Sequence, residues 1–521
     1  MPNIATTLSA ARRLHAGRTA LRHADRDMTY AELDDAVRSF ASALLASGLS
    51  PGDRVAVFAK NCPEYVITMY GAFAAGMVIV PVNAKLAGPE LAVILEDSET
   101  RLLVHDAASA VLVDEVAGPD LATLGIGPAF DRFLAVGSPD QQVADLGEDS
   151  VAWLFYTSGT TGRPKGAMLT HRNLTAMMWL ELADVCDYRA EDVVLHVTPL
   201  SHGGGLYLLG AVARGATNLI HSGSSFVAGD VLRLIEREGV TVIAFLAPTM
   251  IVMLLDADAE TGADTASLRR AVYGGAPMHL DHARRMVDRF GGVFVQIYGQ
   301  GESPMTITYL DLARGPVDDD RLISAGVPHP GVEVAVFDAE DRPVTVGTTG
   351  EICVRGDTVM RGYLGNPTAT AAALRNGWLH TGDVGRYDEH GRLTLLDRSK
   401  DVIISGGTNI YPREVEDALL LHPGVRQVVV FGEPDDVWGE SVTAAVVREA
   451  AADVAADELI AWCRTLIAGF KKPKRVVFVE ELPSNAYGKV LRREVRDRLA
   501  ADSTGHQRDG RLPGLSVRRT S

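Results

Sequence analysis

An apolar run followed by a glycine- and hydroxyl-rich loop is the most constraining feature of the chain. Residues 151–155 (VAWLF) are all apolar, and residues 156–166 (YTSGTTGRPKG) hold four Ser or Thr hydroxyls, three glycines and one lysine. Glycines let backbone N–H groups approach an anion, hydroxyls donate further hydrogen bonds, and Lys165 adds charge. The loop lacks the Gly-Lys-Ser/Thr of a Walker A motif. We predict a buried strand leading into a polyphosphate-binding loop, with an ordinary polar turn as the alternative.

The composition indicates a large folded protein with more than one domain. The chain has 521 residues, of which 47% are hydrophobic and 22% charged, so it is globular rather than disordered. The formal charge of −17 argues against nucleic-acid binding and requires local basic pockets for any anionic ligand. The four cysteines (62, 186, 353 and 463) are scattered, which predicts no disulfide framework and no zinc site.

One segment has the length and the uncharged composition of a membrane-spanning helix. Residues 65–84 carry no charge and meet the length criterion, but Gly71, Gly76 and Pro81 interrupt them. Residues 77–82 are more typical of a buried strand that follows a buried helix. The N-terminus also lacks the apolar core of a signal peptide. We therefore expect a cytoplasmic protein without a membrane span.

Strand and helix patterns alternate through the first two thirds of the chain. Leu33, Val37, Phe40 and Leu44 share a helical face, and Gly48 follows as a helix-ending glycine would. Further elements show the same alternation: strands at 54–58, 193–197, 240–245 and 293–297, and a helix at 281–290. Repeated strand–helix units predict mainly parallel sheets covered by helices, hence an α/β fold.

The pattern changes near residue 331. Short strands at 332–337, 350–355 and 392–396 are separated by turns and predict a β-rich lobe. A helix, a strand and a helix follow at 414–421, 425–431 and 457–468. We predict a large N-terminal domain (1–397) of two stacked αβ lobes plus the β-rich lobe. A small mobile α+β domain (398–500) and a flexible tail (501–521) follow it.

Further motifs occur in a fixed order along the chain. They are 199–202 (PLSH), 273–277 (YGGAP), 296–302 (QIYGQGE), 381–383 (TGD), 397–401 (DRSKD) and 483–489 (PSNAYGK). Together with the loop at 156–166, they resemble the acyl-adenylate-forming, AMP-binding superfamily, in particular its acyl-CoA synthetases and fatty-acid–CoA ligases. The resemblance covers residues 25–495.

This resemblance implies a role for each motif. The nucleotide contacts would be Thr157, Ser158, Gly159, Thr160, Thr161, Gly162, Lys165, Gly275, Ala276, Pro277, Gln296, Tyr298, Gly299, Gln300, Gly301, Glu302, Asp383, Arg398 and Lys489. Glu302 and Thr157 would hold Mg²⁺, which prefers hard oxygen ligands. Asp383, helped by Arg398, would grip the ribose hydroxyls. Lys489, His202 and Lys165 would be the catalytic residues.

The resemblance also implies how the C-terminal domain works. Lys400 would be the hinge, and Gly406 and Gly407 would allow a pantetheine arm to approach closely. Lys471 and Lys472 belong to a basic patch at 470–475, which either pairs with the CoA phosphates or is only a solvated face.

Two departures from the family pattern concern glycines. Gly301 stands where relatives have a threonine that contacts the α-phosphate, and losing one hydrogen bond to a charged group costs about 1.5–3 kcal/mol. Restoring the threonine is therefore expected to improve ATP use. Residues 203–205 are all glycine where relatives have larger apolar residues, so the acyl pocket (His202, Gly203, Gly204 and Gly275) is expected to take a hydrophobic, bulky or elongated acid.

These features predict an AMP-forming acid–thiol ligase that uses ATP, Mg²⁺ and coenzyme A on a small-molecule carboxylic acid. Three alternatives remain open: an enzyme limited to adenylation, including a stand-alone amino-acid adenylation domain; a luciferase-type oxidase; and a degenerate acyl-adenylate or nucleotide binder. No motif indicates the oligomeric state, so a homodimer also remains open.

Overall fold

The computed structural model describes residues 3–157, 164–223, 225–276, 278–405, 408–435, 437–450, 452–483 and 490–503. Its strands are β1 (Thr19–His23), β2 (Arg26–Thr29), β3 (Arg54–Phe58), β4 (Val78–Val82), β5 (Thr100–His105), β6 (Ala122–Gly125), β7 (Val151–Thr157), β8 (Lys165–Thr170), β9 (Val193–His196), β10 (Thr217–Ile220), β11 (Val242–Leu246), β12 (Arg270–Gly274), β13 (Phe294–Gln300), β14 (Ser303–Asp311), β15 (Val327–Pro328), β16 (Glu333–Phe337), β17 (Gly350–Arg355), β18 (Leu374–Arg375), β19 (Trp378–Tyr387), β20 (Leu393–Arg398), β21 (Ile403–Ser405), β22 (Thr408–Ile410), β23 (Val425–Asp435), β24 (Gly439–Arg448) and β25 (Arg475–Phe478).

Helices connect these strands. They are α1 (Thr6–His15), α2 (Tyr30–Ala46), α3 (Pro63–Ala74), α4 (Gly88–Asp97), α5 (Ala110–Val116), α6 (Pro128–Val136), α7 (His171–Leu180), α8 (Gly203–Ala213), α9 (Ala228–Glu238), α10 (Pro248–Thr261), α11 (Leu280–Phe290), α12 (Asp319–Ile323), α13 (Pro367–Ala373), α14 (Pro412–Leu420), α15 (Ala456–Leu466) and α16 (Arg492–Ser503).

Two large sheets form the α/β part of the molecule. One has the order β15-β14-β13-β12-β11-β9-β10-β1-β2, and the other has the order β6-β5-β3-β4-β7-β8. The inner pairs of both sheets are parallel, and antiparallel strands such as β8 and β14 lie toward the edges. The predicted α/β class with two αβ lobes is confirmed. Parallel strands place their carboxyl ends along one edge, which is where ligands bind in such sheets.

A β-rich lobe and a C-terminal sheet complete the fold. Strands β16, β17, β19, β18 and β20 form an antiparallel sheet that ends at Arg398, and the C-terminal sheet begins at Ile403. The domain boundary between 397 and 398 stays a prediction. The tail predicted at 501–521 also stays a prediction; α16 continues to Ser503, and the later residues lie outside the described residues.

The uncharged stretch at 65–84 does not form one continuous helix. Most of it lies in α3 and β4, both almost entirely buried in the first αβ lobe. Helix α3 packs against α2, and a Cβ on Gly71 would lie 2.6 Å from the Phe40 ring, so the close approach requires glycine. Within the described residues, no helix is long and apolar enough to cross a membrane.

Polar contacts set the orientation of the C-terminal unit against the rest of the chain. His279 Nδ1 of the large unit lies 2.6 Å from Asp417 Oδ1 of α14. Arg413 donates to the backbone carbonyl of Leu395 at 2.8 Å. Arg492 of α16 donates to Asp397 Oδ1 at 2.9 Å, which ties the last helix to the end of β20.

Candidate active site

The predicted phosphate loop lies between two antiparallel strands. The register of β7 and β8 pairs Thr157 with Lys165, so these two residues flank the segment that connects the strands. The residues assigned to the loop itself lie outside the described residues: Ser158, Gly159, Thr160, Thr161 and Gly162. The Lys165 ammonium lies 5.2 Å from the centre of the Tyr363 ring, a cation–π contact that holds the lysine at the mouth of the loop.

Glu302 lies in the turn between β13 and β14 and receives two hydroxyl donors. Tyr363 OH donates to its Oε1 at 2.7 Å, and Thr157 Oγ1 donates to the same atom at 3.3 Å. Burial, followed by the Glu302 charge, raises the pKa of Tyr363, so the phenol stays protonated. The predicted Thr157–Glu302 pair is thus brought together, and its hard oxygens suit Mg²⁺.

A second carboxylate, Asp383, is held from three sides. Tyr298 OH and Gln300 Nε2 donate to its Oδ2 at 2.7 and 2.6 Å, and Arg398 Nε lies 2.6 Å from its Oδ1. Burial opposes the Arg398 charge, but Asp383, Tyr298 and Glu302 raise the Arg398 pKa above its ordinary value. The structure therefore places two of the predicted nucleotide contacts, Tyr298 and Gln300, around the carboxyl group predicted for the ribose.

The motif at 273–277, predicted to contact the nucleotide, lies at the carboxyl end of β12. Gly275 and Ala276 reach the surface of the site, while Pro277 lies outside the described residues. The assignment of Gln296 to the nucleotide stays a prediction that the position of its side chain does not support. Its side chain is 6% exposed and accepts a hydrogen bond from the buried Tyr273 hydroxyl at 3.1 Å, so it joins two strands inside the core.

Two glycines at the end of β13 are required by close packing. A Cβ on Gly299 would lie 2.2 Å from the backbone nitrogen of Met305. A Cβ on Gly301 would lie 2.5 Å from Thr157 Cγ2 and 2.7 Å from Phe155 Cδ1. The expectation that threonine at 301 would simply restore a phosphate contact is therefore wrong, because Phe155 and Thr157 occupy that space.

We predict that Gly301→Thr lowers kcat/KM for ATP by about tenfold or more, since overpacking typically costs about 1–3 kcal/mol. Gly301→Ala is the matched variant because it adds only the clashing methyl group. Steady-state kinetics with ATP varied would measure both. A threonine variant that uses ATP better than the wild type would contradict the steric argument.

The predicted acyl side begins at His202, which is half-buried with its ring centre 4.8 Å from that of Phe155. Burial lowers the pKa of His202 to about 4, so the imidazole is neutral at pH 7 and can donate a hydrogen bond without carrying charge. A Cβ on Gly203 would meet Phe245 and Met305 at 3.5 Å, and one on Gly275 would meet Phe245 at 3.6 Å. The Phe245 ring thus lies against two of the three glycines of the predicted pocket, Gly203 and Gly275.

The remaining glycines of the run do not provide pocket volume. Residues 203–205 form the first turn of α8 and are buried. A Cβ on Gly204 would lie 2.9 Å from the Thr198 carbonyl oxygen, and one on Gly205 would lie 2.1 Å from that of Leu200. The assignment of Gly204 to the acyl pocket is therefore wrong, since this glycine allows α8 to pack against the preceding backbone.

The C-terminal candidates are only partly within the described chain. Lys400 is exposed in a short turn after β20, whereas Gly406, Gly407 and Lys489 lie outside the described residues. Lys471 donates to both carboxyl oxygens of Glu414 at 2.6 and 2.7 Å. Lys471 is thus paired with a carboxylate of its own domain in this arrangement, and its assignment to the CoA phosphates stays a prediction. Lys472 of the same patch is half-buried.

Sequence reasoning missed three residues of the site: Tyr363, Phe245 and Glu351. Glu351 Oε1 accepts the backbone N–H of Gly382 at 3.0 Å, and His380 Nδ1 lies 2.9 Å from its Oε2. Glu351 therefore supports the part of β19 that presents Asp383. None of the three belongs to a motif at a spacing that sequence alone would single out, because each acts across strands.

Glu351, Cys353 and His380 also have the spacing of a metal site, with their ligand atoms within 4.8 Å of one another. Burial, followed by the Glu351 charge, raises the pKa of Cys353 to about 12, so its thiol is protonated in this arrangement. Arg375 lies 3.4 Å from Glu351 and adds positive charge. These three residues act as a hydrogen-bond network next to Asp383 in β19.

The chain matches two family models and many known proteins. A model described as AMP-binding enzyme matches residues 8–364, and one described as AMP-binding enzyme C-terminal domain matches residues 414–489. A feruloyl-CoA synthase from Amycolatopsis sp is 42% identical over 485 residues, covering 92% of this chain and 96% of that protein.

A further relative and a solved structure have names that describe other activities. A fatty acid–[acyl-carrier-protein] ligase, ScoC, from Streptomyces coeruleorubidus is 37% identical over 483 residues, covering 92% of this chain and 93% of that protein. Among solved structures, the anthranilate CoA ligase AuaEII in complex with anthranoyl-AMP superposes with a TM-score of 0.89 at 26% identity. That match covers 96% of this chain and 98% of AuaEII.

Proposed function

Because this chain belongs to the AMP-binding enzyme family, we propose that it makes an acyl-CoA thioester from an aromatic carboxylic acid, ATP and CoA. The observation that carries the aromatic assignment is the ring wall of the acyl side. Phe245 lies against Gly203 and Gly275, and the Tyr207 ring stacks on it at 5.9 Å between centres with 18° between planes. Flat rings pack well on such a wall. The named activity of the feruloyl-CoA synthase relative supports the same class of acid.

In the first half-reaction, a carboxylate oxygen of the acid attacks the α-phosphorus of ATP. The bond from that phosphorus to the bridging oxygen breaks, and pyrophosphate leaves. Lys165 attracts the phosphates, Asp383 fixes the ribose, and the neutral His202 donates toward the carboxylate, so the chain's main contribution is positioning. Mg²⁺ would supply charge neutralisation to the phosphates, with Glu302 and Thr157 holding it.

In the second half-reaction, the CoA thiolate attacks the acyl carbon of acyl-AMP, and AMP leaves. We extend the family assignment to this chain: Lys489 assists adenylate formation, and rotation about Lys400 then brings Gly406 and Gly407 to the thiol path. The contacts of Arg492 with Asp397, and of His279 with Asp417, must break or rearrange for that rotation. The four free cysteines support a reducing, cytoplasmic setting for the enzyme.

A panel of acids tests the proposal. The purified chain, ATP and Mg²⁺ would be incubated with ferulic, cinnamic, benzoic, octanoic or malonic acid, with and without CoA. AMP and thioester would be measured separately. We expect CoA-dependent thioester from the arylpropenoic acids at a kcat/KM about tenfold or more above that for octanoate, the advantage of one well-packed ring.

Other results would exclude the proposal in different ways. AMP formation without thioester would indicate another acyl acceptor, such as the carrier protein in the name of the ScoC relative. A preference for octanoate would exclude the aromatic pocket but keep the ligase. No acid-dependent AMP formation at all would support the degenerate binder.

A further inference from the structure

One face of α8 links the acyl side to a buried carboxyl group. Gly203, Tyr207 and Gly210 recur at intervals of four and three residues and therefore lie on the same face. At one end of that face, Gly203 meets Phe245 and Met305. At the other end, a Cβ on Gly210 would lie 2.7 Å from Oε2 of Glu181. The face runs about 10 Å along the helix at 1.5 Å per residue.

The environment of Glu181 is unusual for a carboxyl group. Glu181 begins a π-helical turn after α7 and is 1% exposed. Within the described part of the chain, neither of its oxygens has a hydrogen-bond partner of normal geometry, and the same holds for the hydroxyls of Tyr188 and Tyr207. Buried polar groups in folded proteins are nearly always paired, so three unpaired groups around one point call for an explanation.

Burial favours the uncharged form of Glu181. Burial raises its pKa well above the ordinary range, and the nearby Tyr188 hydroxyl offsets only part of that effect. A neutral carboxyl group has one O–H donor and one carbonyl acceptor, so it can both give and receive a hydrogen bond. It therefore suits a neutral hydroxyl group better than a cation.

We propose that Glu181, with the hydroxyls of Tyr207 and Tyr188, forms the distal end of the acyl site and selects aromatic acids that carry a hydroxyl group far from the carboxylate. The inference rests on the proposed function and names the substrate class within it. The Phe245–Tyr207 stack supplies the ring wall, and Tyr207 belongs to both the wall and the distal end. The distance along α8 fits an arylpropenoic acid with its carboxylate near His202 and its hydroxyl near Glu181.

Paired substrates test this selection. 4-Hydroxycinnamic and cinnamic acid differ only in the distal hydroxyl, so the ratio of their kcat/KM values isolates its contribution. We expect the wild type to favour the hydroxylated acid and Glu181→Leu to lower that ratio by about tenfold, the effect of one or two neutral hydrogen bonds. Glu181→Gln should keep the ratio within about threefold, because the amide also offers a donor and an acceptor.

Two further variants complete the test: one is a control substitution outside the proposed site, and the other replaces Glu181→Leu if that variant does not fold. Thr175→Val removes another buried, unpaired hydroxyl from α7, more than one turn away, and should leave the ratio unchanged. Tyr207→Phe keeps the ring stack but loses one hydroxyl, so it should lower the ratio in the same direction. It decides the question if Glu181→Leu does not fold, as judged by its melting curve.

Each contrary result has a distinct meaning. If both acids lose the same factor in Glu181→Leu and in Tyr207→Phe, these residues are structural and the proposed selection is wrong. If the wild type forms thioester from both acids equally well, the selection is also wrong, while the proposed function stands. If the wild type activates neither acid but activates aliphatic acids, both the selection and the aromatic function are overturned.

Discussion

Glu302→Gln is expected to lower the rate of acyl-AMP formation by about 100-fold to 1,000-fold, the usual effect of removing one charge-stabilising group from a reaction centre. Glutamine keeps an oxygen that can accept from Tyr363 OH and Thr157 Oγ1, so the local hydrogen bonds can survive. What is lost is the negative charge that would hold Mg²⁺. Pyrophosphate exchange at increasing Mg²⁺ would measure the effect, with an apparent Mg²⁺ affinity that falls in parallel.

Tyr363→Phe is the matched control for that variant. It removes one hydrogen bond to Glu302 but leaves the charge, and it also leaves a ring beneath Lys165. We expect a loss of about tenfold, from one hydrogen bond to a charged acceptor. If Glu302→Gln retained wild-type exchange at every Mg²⁺ concentration, Glu302 would not be the metal-holding group.

Much of the fold follows from patterns that are local in sequence. The Leu33–Leu44 face predicted α2, and the apolar run before the phosphate loop predicted β7, because hydrophobic periodicity directly reflects which side of an element is buried. Helix and strand ends were less accurate, and the strand predicted at 240–245 lies at Val242–Leu246. Tertiary hydrogen bonding sets such ends, and a single sequence does not contain it in local form.

The candidate active site divides in the same way, into features that local sequence predicted and features that depend on tertiary contacts. Thr157, Glu302, Asp383 and Arg398 were named from motifs, and the structure brings them into two carboxylate clusters. The role of Gly204 was wrong because a glycine that makes room for a ligand and one that makes room for a backbone look alike in sequence. Phe245, Tyr363 and Glu181 were missed because their positions depend on contacts between elements far apart in the chain.

Asp383→Asn is expected to lower kcat/KM for ATP by about 100-fold. The uncharged amide weakens one charge-assisted contact with the ribose, and it also disturbs the hydrogen bonds that hold the side chain at position 383. Asp383 accepts from Tyr298 and Gln300 through one oxygen and faces Arg398 with the other. In either orientation of the asparagine amide, its NH₂ group must face a side chain that also donates, either Gln300 or Arg398. The free energy of unfolding should fall by only about 1–3 kcal/mol, since the Arg398 side chain is 40% exposed and water screens its charge.

A double-variant cycle distinguishes two roles for Arg398: holding Asp383 in place, or contacting the nucleotide itself. If Arg398 acts mainly by holding Asp383, then Asp383→Ala combined with Arg398→Ala should lose little more than Asp383→Ala alone in kcat/KM for ATP. Glu333→Gln breaks the exposed Arg355–Glu333 pair in the same β-rich sheet and serves as the control. That change should alter stability by less than about 0.5 kcal/mol and leave ATP kinetics unchanged. Fully additive losses would mean instead that Arg398 contacts the nucleotide independently of Asp383.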